Sequence, residues 1–147
     1  MSVTAEQVLT FCTFRVDNLL LGVPVAQVQE LVRHNDLTPV PLAPPSVVGL
    51  INLRGRIVTA VALRPLLGRP PAADRAGGMN VVVQNEGGVF SLVVDRIGDI
   101  LSTSAPLGKI PDTLTGVARE VISGVHQGED HLLLVLDVPA CVRAVKS

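Results

Sequence analysis

The chain has 147 residues and a formal net charge of −1, the length of one domain against a prior of about 150 residues per unit. Val, Leu and Ile contribute 51 residues (25, 20 and 6) against three Phe and neither Trp nor Tyr. Any core is therefore aliphatic, a disordered chain is excluded, and the lack of a basic surplus and of stacking aromatics argues against nucleic acid as a partner.

No apolar run reaches the ~18–20 residues that a membrane helix needs, and no basic stretch leads into an apolar one at the N-terminus. A cytoplasmic protein without direct membrane insertion is expected. Cys12 and Cys141 fit neither zinc nor redox spacings, so two buried thiols in a reducing compartment are expected.

Strand signals dominate, as β-branched runs bounded by Gly, Pro, Asn and Asp. Leu9–Val16 alternates, with Cys12, Phe14 and Val16 on one face and Thr13 and Arg15 on the other. Asp17 and Asn18 form a turn candidate, and residues 19–25 return as a partner strand. Residues 24–33 carry both a helical spacing (Val25, Val28, Leu31, Val32) and a possible strand from Val28 to Arg33, and periodicity does not decide between them. A loop with Pro39, Pro41, Pro44 and Pro45 follows.

Val47–Leu53 and residues 56–63 are apolar runs that Arg54 and Gly55 join at a tight turn or bulge. Residues 63–67 fit one helical turn stopped by Gly68. Residues 69–78 contain only Arg, Pro, Ala, Asp and Gly, cannot feed a core, and are the linker candidate near which the chain divides into two barrel-like halves. Beyond it, 81–84 and 89–95 predict a hairpin, 97–101 an extended run, and 121–126 with 131–137 another hairpin. Asp137 is placed to cap a final helix with Pro139 in its first turn. Nine or ten short strands in two comparable halves point to an all-β pair of small barrels.

Motifs of hydrolases, zincins, nucleotide loops and dinucleotide folds are absent. His126 and His131 flank Glu129 and Asp130 in a turn, a weak metal candidate better explained as a solvated loop, and His34 also fits a surface position. Asp95 suits a strand end or turn. Arg54, Arg56, Arg64, Arg69 and Arg75 give a locally positive surface, suited to an acidic protein partner more than to phosphates. Arg54, at the turn between two apolar strands, holds a donor fork suited to a carboxylate or to helix C-terminal carbonyls.

The run Val47-Val48-Gly49-Leu50-Ile51-Asn52-Leu53-Arg54-Gly55-Arg56-Ile57-Val58 resembles the central motif of the CheW-like family of bacterial chemotaxis coupling proteins. Leu21-Gly22-Val23, Val28-Gln29-Glu30-Leu31, Thr38-Pro39-Val40-Pro41, Pro44-Pro45, Val93-Val94-Asp95-Arg96-Ile97 and residues 132–137 resemble flanking family segments in the right order, so the likeness covers about residues 11–145. Leu21 and Ala62 stand where the family usually carries an aromatic and an Asp.

The resemblance implies two five-stranded SH3-like β-barrels around an aliphatic core, with short helical segments. It implies no catalytic activity, cofactor or metal, and a role bridging the cytoplasmic helical tip of chemoreceptors to the regulatory domain of a CheA-type histidine kinase. The receptor helix would lie in a groove. Val28, Gly49, Asn52 and Arg54 fall at receptor-facing positions, and Val25 and Glu30 in a region associated with kinase contact. The competing expectations are a small ligand- or metal-binding barrel enzyme using the His126/His131 turn, or a divergent paralogue that binds only one of the two partners.

Overall fold

Alternating aliphatic residues put two faces on most strands, and the strands inside each sheet bury residues on both. The computed structural model describes residues 8–33, 47–53, 55–70, 79–85, 88–104, 107–128 and 131–146. Leu9–Val16 (β1) and Leu19–Pro24 (β2) form a hairpin whose turn places Asp17 at a left-handed φ of 56°, which a short polar side chain tolerates. The ambiguous stretch that follows resolves into one 3₁₀ turn, Val25–Gln27, and a strand, Val28–Arg33 (β3). Val47–Leu53 (β4) and Arg56–Ala62 (β5) form the next hairpin, and Leu63–Leu66 (α1) follows directly. Gly68, at φ +70°, ends that helical turn.

Met79–Asn85 (β6) and Gly88–Val94 (β7) make the third hairpin, and Arg96–Thr103 (β8) leads away from it. Gly116–Glu120 (α2) is a five-residue helix, too short to show a period in the sequence. Ile122–Gln127 (β9), Leu132–Leu136 (β10) and Val138–Lys146 (α3) complete the chain. The proline loop, His34, Arg54, Arg75, Glu129 and Asp130 lie outside the described residues.

The strands form two five-stranded sheets in the orders β8-β1-β2-β10-β9 and β3-β6-β7-β5-β4. Neither sheet is half of the chain. The segment 69–78, expected to separate two halves, joins β5 to β6 inside a single sheet. The halves are nonetheless equivalent as repeats, because each runs hairpin, lone strand, hairpin, helix. The first hairpin of each half, β1–β2 or β6–β7, joins the sheet built from the other half's remaining strands. In both sheets that docking is the parallel contact, β2 with β10 and β7 with β5.

The registers repeat residue by residue. Val28, Leu31 and their bulge on β3 pair with β6 as Ile97, Ile100 and their bulge on β8 pair with β1. Gly49 sits at the β4 bulge opposite Ala60, and Gly124 at the β9 bulge opposite Val135. All four outer strands, β3, β4, β8 and β9, thus belong to pairs with a register shift, as edges protected from strand addition often do.

One large cluster lies between the sheets. It takes Cys12, Phe14, Leu21 and Val23 from one sheet, Val61, Val81, Leu92 and Val94 from the other, and Leu63 and Val138 from the helices. The opposite faces close two smaller clusters, Phe11 with Leu133 and Val135, and Ile51 with Val58 and Ala60. Where Phe11 rests against Gly22 in the first barrel, the second has Asn80 donating from Nδ2 to Ser91 Oγ at 2.6 Å. Leu21, the aliphatic in place of an aromatic, is fully buried in the central cluster, so that departure is one of packing and not of surface.

Asp137 caps α3 as expected, its Oδ1 accepting from the Ala140 amide at 3.1 Å. The equivalent residue before α1 is Ala62, which offers no cap. Asp137→Ala therefore costs about 1 kcal/mol. Thermal denaturation should show the melting temperature lowered by roughly 2–4 °C, whereas an unchanged midpoint would mean that packing alone holds α3.

Candidate functional site

The residues expected to meet partners lie on the two outer strands of one sheet. Val25, in the 3₁₀ turn, is 40% exposed. Val28 opens β3 and is half-buried against the central core, and Glu30, two residues on, is half-buried opposite Val82. Gly49 and Asn52 lie on β4, at the far side of the sheet with β6, β7 and β5 between. Of the four positions expected to face a receptor, Val28 thus stands on one outer strand and Gly49 and Asn52 on the other, while Arg54 lies outside the described residues.

Two of them also have structural work. Gly49 is buried, and its counterpart Gly124 has no room for a Cβ, which would meet Leu107 Cβ at 2.9 Å. Asn52 is exposed, and its Oδ1 accepts from the Gly55 amide at 3.0 Å, closing the β4–β5 turn where Gly55 takes φ +85°. Beside it stands a residue that sequence reasoning passed over. Ile57, directly opposite Asn52, is 62% exposed although it sits in an apolar run. Arg56 is exposed too and has no ion-pair partner among the described residues.

The expected positive surface is smaller than the arginine count suggests. Arg64 Nη2 donates to Asp95 Oδ2 at 2.6 Å and Nε to Oδ1 at 3.3 Å, while Nη1 donates to the Pro70 carbonyl at 2.8 Å. Arg69 pairs with Asp17 at 3.6 Å. The Asp95 carboxylate also accepts the Asp17 amide at 2.7 Å, so the β1–β2 turn, α1 and the β7–β8 turn are tied to one side chain. Burial alone would raise the Asp95 carboxyl. The hydrogen bonds from Arg64 and the Asp17 amide, with the charges of Arg64 and Arg96, outweigh it and hold the group below the usual carboxylate range. This cluster braces the fold and is not placed to act on a ligand.

Other reactive groups are muted. Cys12 and Cys141 are free and buried. Burial raises both thiols, Cys141 to about 12 with the Asp137 charge adding to the effect, so neither supplies a thiolate nucleophile. Among the described residues no three His, Cys, Asp or Glu side chains are placed to hold a metal ion. At the β9–β10 turn the Gly128 amide donates to the His131 carbonyl at 2.9 Å, and the His131 ring packs where a Cβ on residue 128 would lie. A cavity of about 350 Å³ between α1 and α2 is lined by Leu66, Arg69, Thr113, Thr115 and Val117 among others, with no carboxylate, thiol or imidazole for proton transfer.

Paired barrels that leave Val25, Leu31, Ile57 and Ile100 exposed, and whose Arg64 and Asp95 are committed to bracing, describe a protein-binding scaffold. Residues 10–146 match the model of the CheW-like domain, and the chain belongs to that family of non-catalytic chemotaxis adaptors. It is 30% identical over 143 residues to the chemotaxis protein CheW of Treponema pallidum, covering 94% of this chain and 84% of that protein. Against the chemotaxis protein CheW of Rhizobium meliloti it is 30% identical over 126 residues, covering 85% and 81%. The crystal structure of the scaffolding protein TtCheW from Thermoanaerobacter tengcongensis shares the fold, with a TM-score of 0.80 over 90% of this chain and 86% of that one at 20% identity.

Because the Asp95 carboxyl titrates below its unfolded value near 3.9, its contribution is present above that pH and is lost as pH falls through the folded value. Asp95→Asn should cost about 1–2 kcal/mol at pH 7, a melting temperature lower by roughly 2–8 °C. The gap between wild type and variant should close below about pH 4. A gap that stays constant down to pH 2 would show that the ion pair contributes nothing.

Proposed function

We propose that the protein couples the cytoplasmic helical tip of chemoreceptors to the regulatory domain of a CheA-type histidine kinase, working in the cytoplasm at membrane receptor arrays. Family membership supports an adaptor of this kind, and the observation that carries the two-partner reading is the placement of β3 and β4. They are the outer strands of one sheet, and exposed Val25 beside β3 and exposed Asn52 on β4 each offer a surface to a partner. Arg54 lies outside the described residues, and its receptor role rests on the family motif.

The protein adds no chemistry in this reading. It holds kinase and receptor at a fixed separation, so a receptor rearrangement is transmitted as a rigid-body change. The shared core supports this, because the sheets cannot shift independently without opening it. No helix among the described residues is long and apolar enough to cross a membrane.

Val28 packs on the central core, so Val28→Asp would disturb the fold together with any contact, and exposed Val25 is the better probe. Co-sedimentation with a receptor fragment and a kinase regulatory domain should recover all three proteins. Val25→Asp should lose the kinase only, and Arg54→Glu the receptor only, each by about 2 kcal/mol or roughly 30-fold. Recovery of a single partner by the unsubstituted protein would identify a one-partner paralogue.

A further inference from the structure

Arg15 on β1 and Arg96 on β8 stand directly opposite each other across the two strands. The Cβ atoms of such a pair lie about 4.5–5.5 Å apart on one face, where like charges repel. That face points away from the central cluster, which takes Cys12, Phe14 and Val16 from β1. Arg15 is half-buried and Arg96 exposed, and neither guanidinium has a hydrogen-bond or ion-pair partner among the described residues. The carboxylates nearest in the chain are already engaged, Asp17 with Arg69 and Asp95 with Arg64. Asp99, exposed at the β8 bulge, forms no ion pair among the described residues.

The repeat shows that the fold does not require this pair. By register, Gln84 on β6 is the counterpart of Arg15, and its Oε1 accepts from Gln29 Nε2. Gln27, the counterpart of Arg96, is also uncharged. One sheet thus closes this corner with neutral amides, while the other sets two cations side by side. Around them Arg15, Arg64, Arg69 and Arg96 outnumber Asp17 and Asp95 by two, which leaves the corner locally positive. Two guanidinium forks on one face offer more donors and more charge than a single carboxylate satisfies. They suit the several oxygens of a phosphate dianion.

We infer that Arg15 and Arg96 form a binding site for a phosphate dianion, either inorganic phosphate or a small phosphomonoester. The bound group accepts from both guanidinium groups, cancels their repulsion and clamps the outer strand β8 to β1. The site does not depend on the coupling reading, since it lies in the other sheet from β3 and β4.

The test is thermal denaturation of the full chain in sodium phosphate at about pH 8, where phosphate is dianionic, against sodium chloride of equal ionic strength. With phosphate at about ten times its dissociation constant, the melting temperature should rise by roughly 3–6 °C. Arg15→Gln and Arg96→Gln should each remove that rise, whereas Arg143→Gln, exposed on α3, should keep it. In chloride, Arg96→Gln should melt no lower than wild type because it relieves a repulsion, a result that a bracing role would not give. Glycerol phosphate in place of inorganic phosphate separates the two sources. A rise at lower concentration assigns the ester, and an equal dose dependence assigns the free ion. No rise, or the same rise in wild type and both variants as a general salt effect, would overturn the site. Sedimentation with phosphatidic acid vesicles, without a response to either soluble phosphate, would overturn it too.

Discussion

The structure depends on a reciprocal exchange. Each half of the chain sends its first hairpin into the other half's sheet, and the parallel contacts β2–β10 and β7–β5 are where the exchange closes. The central core follows from it. Cys12, Phe14, Leu21 and Val23 meet Val81, Leu92 and Val94 because the sheets face each other across a cluster that neither half can build alone. An aliphatic composition suits this arrangement. Strands buried on both faces need near-continuous Val and Leu runs, and such runs pack between two sheets without the hydrogen-bonding demands of Tyr or Trp.

Such a repeat must also avoid pairing its own hairpins in the wrong sheet, and the two barrel interiors differ at equivalent positions. Phe11 over Gly22 fills one, and Asn80 bonded to Ser91 occupies the other. Putting Asn80 against Leu133 and Val135 would take from its Nδ2 the Ser91 acceptor, and putting Phe11 against Ser91 would crowd a site shaped for a smaller pair. The Arg64–Asp95 pair acts at the crossing itself, tying α1 of one sheet to the turns that flank β1 and β8 of the other. Rigidity is what an adaptor needs from such devices, since its function is to preserve a distance.

Much of the fold was legible in the sequence, and the gaps have physical causes. β1 could be read to the residue because the row Cys12, Phe14, Val16 keeps a two-residue period that a helix does not. Residues 24–33 stayed ambiguous because one 3₁₀ turn followed by a strand satisfies both periods over so short a run. The division near 69–78 separates the two repeats but not the two sheets, because composition marks a break in the chain while the strand pairings around it are long-range. Arg64 and Asp95 lie 31 residues apart, so no local pattern links them.

Of the residues proposed to meet partners, Asn52 and Val25 are exposed, while Gly49 is buried at a bulge and Val28 is half-buried on the core. A family motif mixes residues kept for partners with residues kept for the fold, and only burial separates them. Ile57 was missed for the converse reason, since in an apolar run an exposed isoleucine looks like its buried neighbours.

The exchange itself is tested most directly by dividing the chain between its halves. Fragments 1–70 and 79–147, made separately, should each lack cooperative structure, because each carries a hairpin without its host sheet and a host sheet without its hairpin. Mixed in equal amounts they should form a one-to-one complex whose circular dichroism and single melting transition match the intact protein. A cooperative melt by either fragment alone would contradict the shared core on which the account rests.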